Sequence, residues 1–178
     1  MPGVDFFVRS FVQLKGLEEA LQILLNEETG DIIEIGNRDI IHQHVPPEFL
    51  ARVKNKLAQS GCATNCIFLA DQKSTPHKYA KVRVLPQGTF NFDGDYIARG
   101  SLVMLSSFVP EIQTVLIKSP VLANTMREVF RMAWQTPELK KRYEHPQYSK
   151  LERMLSDLGG GLQLSRLHKR LVGSSAEQ

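Results

Sequence analysis

The sequence is poor in several features that announce a function. It has two cysteines, Cys62 and Cys66, in 178 residues. Three residues separate them, so they make no C-x-x-C pair, and no His or Cys follows at finger-like spacing. That excludes a disulfide framework and a finger-type metal site. An even offset of four puts both thiols on one face of an extended segment, so two buried, reduced thiols are expected. No apolar run reaches the roughly 18 residues of a membrane span. "MPGVDFFVRSF" lacks the long apolar core of a secretory signal. A cytoplasmic protein that makes no use of a membrane is expected.

Catalytic signatures are equally scarce. Gly159-Gly160-Gly161 is not followed by Gly-Lys-Ser/Thr, so it reads as a hinge and not as a phosphate-cradling loop. There is no G-x-S-x-G elbow for a Ser-His-Asp hydrolase. Asp93 and Asp95 flank Gly94 without the rest of a calcium loop, which favours a tight turn. No cofactor and no metal are expected. Internal repeats and low-complexity tracts are absent.

The chain has the composition of an ordinary globular protein, 42% hydrophobic and 23% charged, at a length that buries a core without disulfides. Its formal charge of +3 is too small to indicate nucleic-acid binding by itself. The distribution is uneven. Glu138 to Val172 carries eight Lys or Arg against four Asp or Glu, a net +4, so the remainder sums to −1. Such a basic segment suits an acidic partner or phosphates, and equally a solvated helical surface.

Periodicity orders the rest. Leu17, Ala20, Leu21, Leu24 and Leu25 make one apolar helix face between Gly16 and Gly30. "DIIEIGN" predicts a strand closed by a Gly36-Asn37 turn. Pro46-Pro47 starts a helix with the stripe Phe49, Leu50, Val53 and Leu57, ended by Ser60-Gly61. "ATNCIFLAD" and "AKVRVLP" predict strands, the second with Val82 and Val84 on one face and Arg83 and Leu85 on the other. "YIARGSLVMLSSF" predicts two strands around Gly100, and "QTVLIKS" a last one. In "VLIKSPVLANTMREVFRMAWQ", Ser119 caps and Pro120 opens a helix carrying Leu122, Met126, Val129, Phe130 and Ala133. The strand–helix–strand unit predicts a parallel pair, and the later short connections predict antiparallel strands. A mixed sheet with packed helices follows. Beyond Pro137, leucines predict helices around Tyr148–Leu155 and Leu164–Leu171.

Few side chains are candidates for chemistry. His42 and His44 in "IIHQHVPPEF" would point the same way in an extended loop, towards a metal, an anion or simply hydrogen-bond partners. His77 stands in a polar loop. Trp134, the single tryptophan, suits either a core stripe or a stacking platform.

The layout resembles the effector domain of TrmB-type transcriptional regulators over about residues 12 to 136. "FVQLKGLEEALQILLNEETGDIIEIGN" resembles its entry helix and strand, and "PPEFLARVKNKLAQSGCATNCIFLAD" its crossover helix and strand. "KVRVLP" is similar to a strand closing on R-x-L/I-P. "GDYIARGSLVMLSS" and the segment ending at Phe130 and Trp134 resemble its final hairpin, strand and F-x-x-x-W helix. The resemblance implies an α/β fold, an α+β mixed sheet of the phospholipase D-like kind. It implies a regulatory domain over residues 1–136 and leaves 137–178 as a basic helical C-terminal extension.

Active enzymes of that fold carry H-x-K with a following Asp, the His acting as nucleophile. Here "HKYAK" has His77 and Lys78 adjacent, and H-x-K occurs nowhere. The family's winged helix-turn-helix also has no room before the first predicted helix. The expectation is a non-catalytic sensor linked to transcriptional regulation, with His42, His44, Arg83 and Trp134 as ligand-binding candidates. It would bind an unknown small molecule or protein partner, with a homodimer open to it, and nucleic acid only indirectly. The alternatives are a divergent phosphodiesterase or nuclease using His42, His44 or His77, and a nucleic-acid-associated module using the basic C-terminal helices.

Overall fold

Side chains alternate across a strand, so the apolar strands of this chain must be covered on both faces. The computed structural model describes residues 6–27, 30–71, 78–89 and 91–136, with the backbone of 143 and 144. The strands are β1 (Phe7–Val12), β2 (Ile32–Asn37), β3 (Thr64–Leu69), β4 (Ala80–Leu85), β5 (Gly94–Arg99), β6 (Leu102–Ser107), β7 (Gln113–Lys118) and β8 (Tyr143–Glu144). The helices are α1 (Gln13–Leu25), α2 (Arg38–His44), α3 (Pro47–Ser60) and α4 (Pro120–Gln135).

They form one mixed sheet in the order β1-β7-β6-β5-β2-β3-β4-β8. β2, β3 and β4 are parallel, with Ile32 opposite Thr64 and Thr64 opposite Ala80. β5, β6, β7 and β1 pair antiparallel. β2 is the seam, parallel to β3 and antiparallel to β5. The mixed α/β class expected from the sequence is the one observed.

Helices α1, α2 and α3 cover one face, where Leu17, Leu21, Leu24, Ile41, Val45 and Phe49 meet Ile32, Ile97, Leu102, Met104 and Leu116. α4 covers the other, where Ala123 and Phe130 meet Ile33, Ile67, Leu69, Tyr96 and Val103. Each large side chain buried this way stabilises the fold by roughly 1.5–3 kcal/mol. Ser119 Oγ accepts from the Leu122 amide at 3.2 Å, so the cap that starts α4 is the expected one.

Several expectations need correction. β1 and α2 were not anticipated, because no turn residue separates "FVRSFV" from the helix that follows. The chain instead reverses through Gln13, at φ 63°. Gly16 lies buried inside α1 and not before it. A Cβ there would come within 2.8 Å of the Phe11 Cβ, so only glycine lets β1 and α1 approach. Gly36-Asn37 makes no turn. Asn37 ends β2 and caps α2, its Oδ1 accepting from the Ile40 amide at 3.3 Å. β4 is parallel to β3, not antiparallel. Both strands are mostly buried, although Lys81 of β4 is exposed. Cys66 is buried in β3, but Cys62 precedes the strand and is only partly buried; both are free thiols.

The helices expected beyond Tyr148 lie outside the described residues, as does His77. Among the described residues no helix is long and apolar enough to cross a membrane.

Candidate functional site: a cleft with buried carboxylates

The seam strand sets the site. Ile32, Glu34 and Gly36 of β2 face α1–α3, while Ile33 and Ile35 face α4. Glu34 stands opposite Cys66 on β3, and Gly36 opposite Asp95 on β5. The chain then enters α2 at once, which brings Arg38 over the sheet. Its guanidinium carbon lies 4.5 Å from the Phe68 ring centroid. Local register thus gathers Glu34, Cys66, Asp95 and Arg38 at one end of the seam.

These groups line a cavity of about 200 Å³ between the sheet and α1–α3. Its walls are mostly apolar: Leu17, Leu21 and Leu24 of α1, Ile41 of α2, Phe49, Val53 and Leu57 of α3, and Met104 and Phe108. His42 and Lys54 also line it.

The polar groups are far from their solution state. The Cys66 thiol donates to Glu34 Oε2 at 3.4 Å. Burial pushes the Glu34 carboxyl up from 4.5 to about 7, against the opposing effects of the Cys66 hydrogen bond and the Arg38 charge. Burial also holds Asp95 well above the usual carboxylate range; the Glu34 charge adds to this, and a backbone hydrogen bond from Tyr96 opposes it. Cys66 is raised by burial first and by Glu34 next, so it stays a thiol and is no nucleophile. Asp95 is 9% exposed, and its Oδ1 has no hydrogen-bond partner among the described residues. A Cβ on Gly36 would sit 2.6 Å from that oxygen, so the glycine makes room for the carboxylate. Among the described residues no group of three or more His, Cys, Asp or Glu is placed to hold a metal ion.

The residues singled out in the sequence fall in separate places. Arg83 and Trp134 come together on the α4 side. The Arg83 guanidinium lies 3.9 Å from the indole centroid and donates to the Trp134 carbonyl. Trp134 also stacks on Phe130, with centroids 5.4 Å apart. A groove beside them is lined by Asp31, Asn65, Arg127 and Arg131. His42 and His44 are not in an extended loop. They occupy the last turn of α2, where an offset of two does not bring side chains together. Both are exposed; His42 also lines the cleft, whereas His44 bonds the Ile40 carbonyl of its own helix at 2.9 Å.

Glu34, Arg38 and Asp95 were not singled out in the sequence. Asp95 read as part of a D-G-D turn but lies in β5. The available signal was Glu34, a carboxylate between isoleucines in an apolar strand.

A second polar cluster ties the carboxyl ends of the parallel strands. Gln87 donates to Asn37 Oδ1 at 2.8 Å and to Asp39 Oδ2 at 3.1 Å, and Asp39 Oδ2 accepts from the Asp71 amide at 2.8 Å. Asp71 Oδ1 in turn accepts from the Gln87 amide at 3.0 Å. These groups satisfy one another, so the cluster is a clasp and not an open site.

Sheet order and helix placement define a mixed α/β protein whose architecture has solved counterparts. The chain is similar to TrmBL2, an archaeal chromatin protein whose structure shows a novel mode of DNA binding. The TM-score is 0.54 at 17% identity, over 76% of this chain and 54% of that one. The chain therefore spans about half of TrmBL2, and the likeness is one of fold. Two other similar structures are NucT from Helicobacter pylori (TM-score 0.49, 13% identity, 79% of this chain and 99% of that one) and Nuc, a phospholipase D family member from Salmonella typhimurium (0.47, 14%, 79% and 97%). No protein-family model matches the sequence, and no curated protein matches it.

Proposed function

We propose that this chain is a non-catalytic regulatory domain that binds a small molecule in the α1–α3 cleft and passes its bound state to a partner. The observation that carries the reading is the cleft itself. Ligand sites are concave and mostly apolar, with a few placed polar groups, and Glu34, Arg38 and Asp95 are such groups. The absence of H-x-K supports a binding role over phosphodiester cleavage, as does the divergence of His42 and His44. The fold shared with TrmBL2 supports a place in transcriptional or chromatin regulation, with DNA reading supplied by another segment or chain. Val121, Val129 and Met132 expose an apolar stripe along α4 that suits a protein partner or a second copy.

Thermal-shift screening against sugars, nucleotides, phosphorylated metabolites and small amines tests the reading. A ligand at 100 times its Kd stabilises by about 2.7 kcal/mol, a rise of roughly 5–10 °C for a chain of this size. Val53→Phe, which fills the cleft, should abolish that rise. Stabilisation untouched by Val53→Phe would place the ligand elsewhere. No stabilisation together with no partner in a pull-down would end the proposal. Hydrolysis of bis-p-nitrophenyl phosphate above blank would refute its non-catalytic part.

A further inference from the structure

We infer that the cleft takes a small organic cation, a protonated amine carried on an apolar body about the size of one ring or a short branched chain. The inference rests on the cleft being the ligand site and adds the class of ligand.

Charge balance is the first argument. Glu34 has the Arg38 guanidinium acting on it, and the Cys66 thiol donates to it. The side-chain charge acting on Asp95 is that of Glu34, which is of its own sign. Asp95 lines the cavity and nevertheless keeps a buried oxygen, unpartnered among the described residues, close against Gly36. A buried carboxylate without a cation is a cost to the fold, and an apolar residue of similar volume would be tolerated better. A ligand ammonium supplies the missing charge and donates to that carboxylate.

Size and wall chemistry narrow the class. A cavity of about 150 Å³ lined by apolar side chains holds benzene. The roughly 200 Å³ here therefore fits a ring and a short amine arm. The leucines, Phe49, Met104 and Phe108 suit an apolar body and offer nothing to a sugar ring, which needs many hydrogen-bond partners. A bare metal ion fits poorly, since the described residues assemble no set of three ligating groups. An anion would meet both Glu34 and Asp95. The chemistry of binding balances simply: the ammonium enters, the acid releases its proton to solvent, and an ammonium–carboxylate pair remains. The other charged or titratable groups lining the cavity are Glu34 from β2, Arg38 and His42 from α2, Lys54 from α3 and Cys66 from β3.

Three shape-matched probes decide the matter by calorimetric titration of the full chain at pH 8: 2-phenylethylamine, 2-phenylethanol and phenylacetate. The amine should bind at least about 30-fold more tightly than the alcohol, the size expected of a buried charge pair, and phenylacetate should not bind. Asp95→Asn should erase the amine's advantage over the alcohol. Equal or tighter binding of the alcohol or of phenylacetate overturns the cation assignment and leaves the ligand cleft standing. No binding of the amine overturns it as well, while the cleft reading is judged separately by the wider screen with Val53→Phe. An amine preference that survives in Asp95→Asn removes Asp95 from the site and the inference with it.

Discussion

The two faces of the sheet meet the same packing demand in different ways. On the α4 face a single helix suffices. Ala123 and Phe130 fill the centre, and Trp134 is held between Phe130 and Arg83 at the rim. The arginines there reach carbonyl groups, Arg83 that of Trp134 and Arg127 that of Gly100. On the other face three helices pack a larger core, yet a cavity remains around Glu34, Cys66 and Asp95. Packing alone does not call for carboxylates at the centre of a sheet. The comparison separates a face covered by one helix from a face that keeps a cavity lined in part by carboxylates.

The sharpest way to break this contrast is to truncate one face and fill the other. Phe130→Ala should cost about 3–5 kcal/mol, the usual loss for a large buried aromatic. Val53→Phe should cost less than about 1 kcal/mol, because its added volume enters existing space. Urea denaturation of the two variants checks both. Similar losses would mean that the cleft is as tightly packed as the α4 face.

Acidity should distinguish the faces next. Glu34 and Asp95 bind protons more tightly folded than unfolded, so the native state holds more protons through the interval above their ordinary values. Stability is then greatest at low pH and falls as pH rises from 4.5 through about 7 for Glu34, with Asp95 acting in the same direction. Glu34 alone would remove up to about 3 kcal/mol over that interval at 1.36 kcal/mol per pH unit. Denaturation midpoints at pH 5 and pH 8 report it, and a flat or rising profile would show carboxylates compensated in the fold.

Smaller effects refine the picture. Gly36→Ala puts a Cβ against Asp95 Oδ1 and should cost about 1–3 kcal/mol by overpacking; it should also weaken the pH dependence by moving that carboxylate. Arg83→Lys should cost about 0.5–1 kcal/mol through its stacking on Trp134. A double-mutant cycle with Trp134→Leu should show that the two effects are not additive.

Much of the architecture was legible because it is local. The stripes of α1, α3 and α4, the alternation in β4 and the Ser119-Pro120 start of α4 are carried by neighbours in sequence. The strand–helix–strand unit gave the parallel pair. β1 and α2 escaped because Gln13 and Asn37 join elements directly, without the Gly or Pro punctuation that marks a boundary. The site escaped for a different reason. Glu34 in "DIIEIGN" looks like the polar alternate of a half-covered strand, and only α1–α3 bury it. Asp95 looks like a turn residue until register places it opposite Gly36. Arg38 reads as a surface position of a helix that was itself unforeseen. Each is defined by a long-range contact that a single sequence does not display. The positions of Arg83 and Trp134 in the fold were legible because their strand and helix carry regular patterns.

On the proposed reading, Asp95 is kept for a ligand and not for the fold. The stability of Asp95→Asn at pH 8, without ligand, tests it most directly. The variant should be more stable than the natural chain by about 1–3 kcal/mol, since the folded state no longer has to keep the proton that burial forces on Asp95, and the gain should shrink at pH 5. A variant less stable at both pH values would show that the carboxylate holds the structure together, and would contradict the claim.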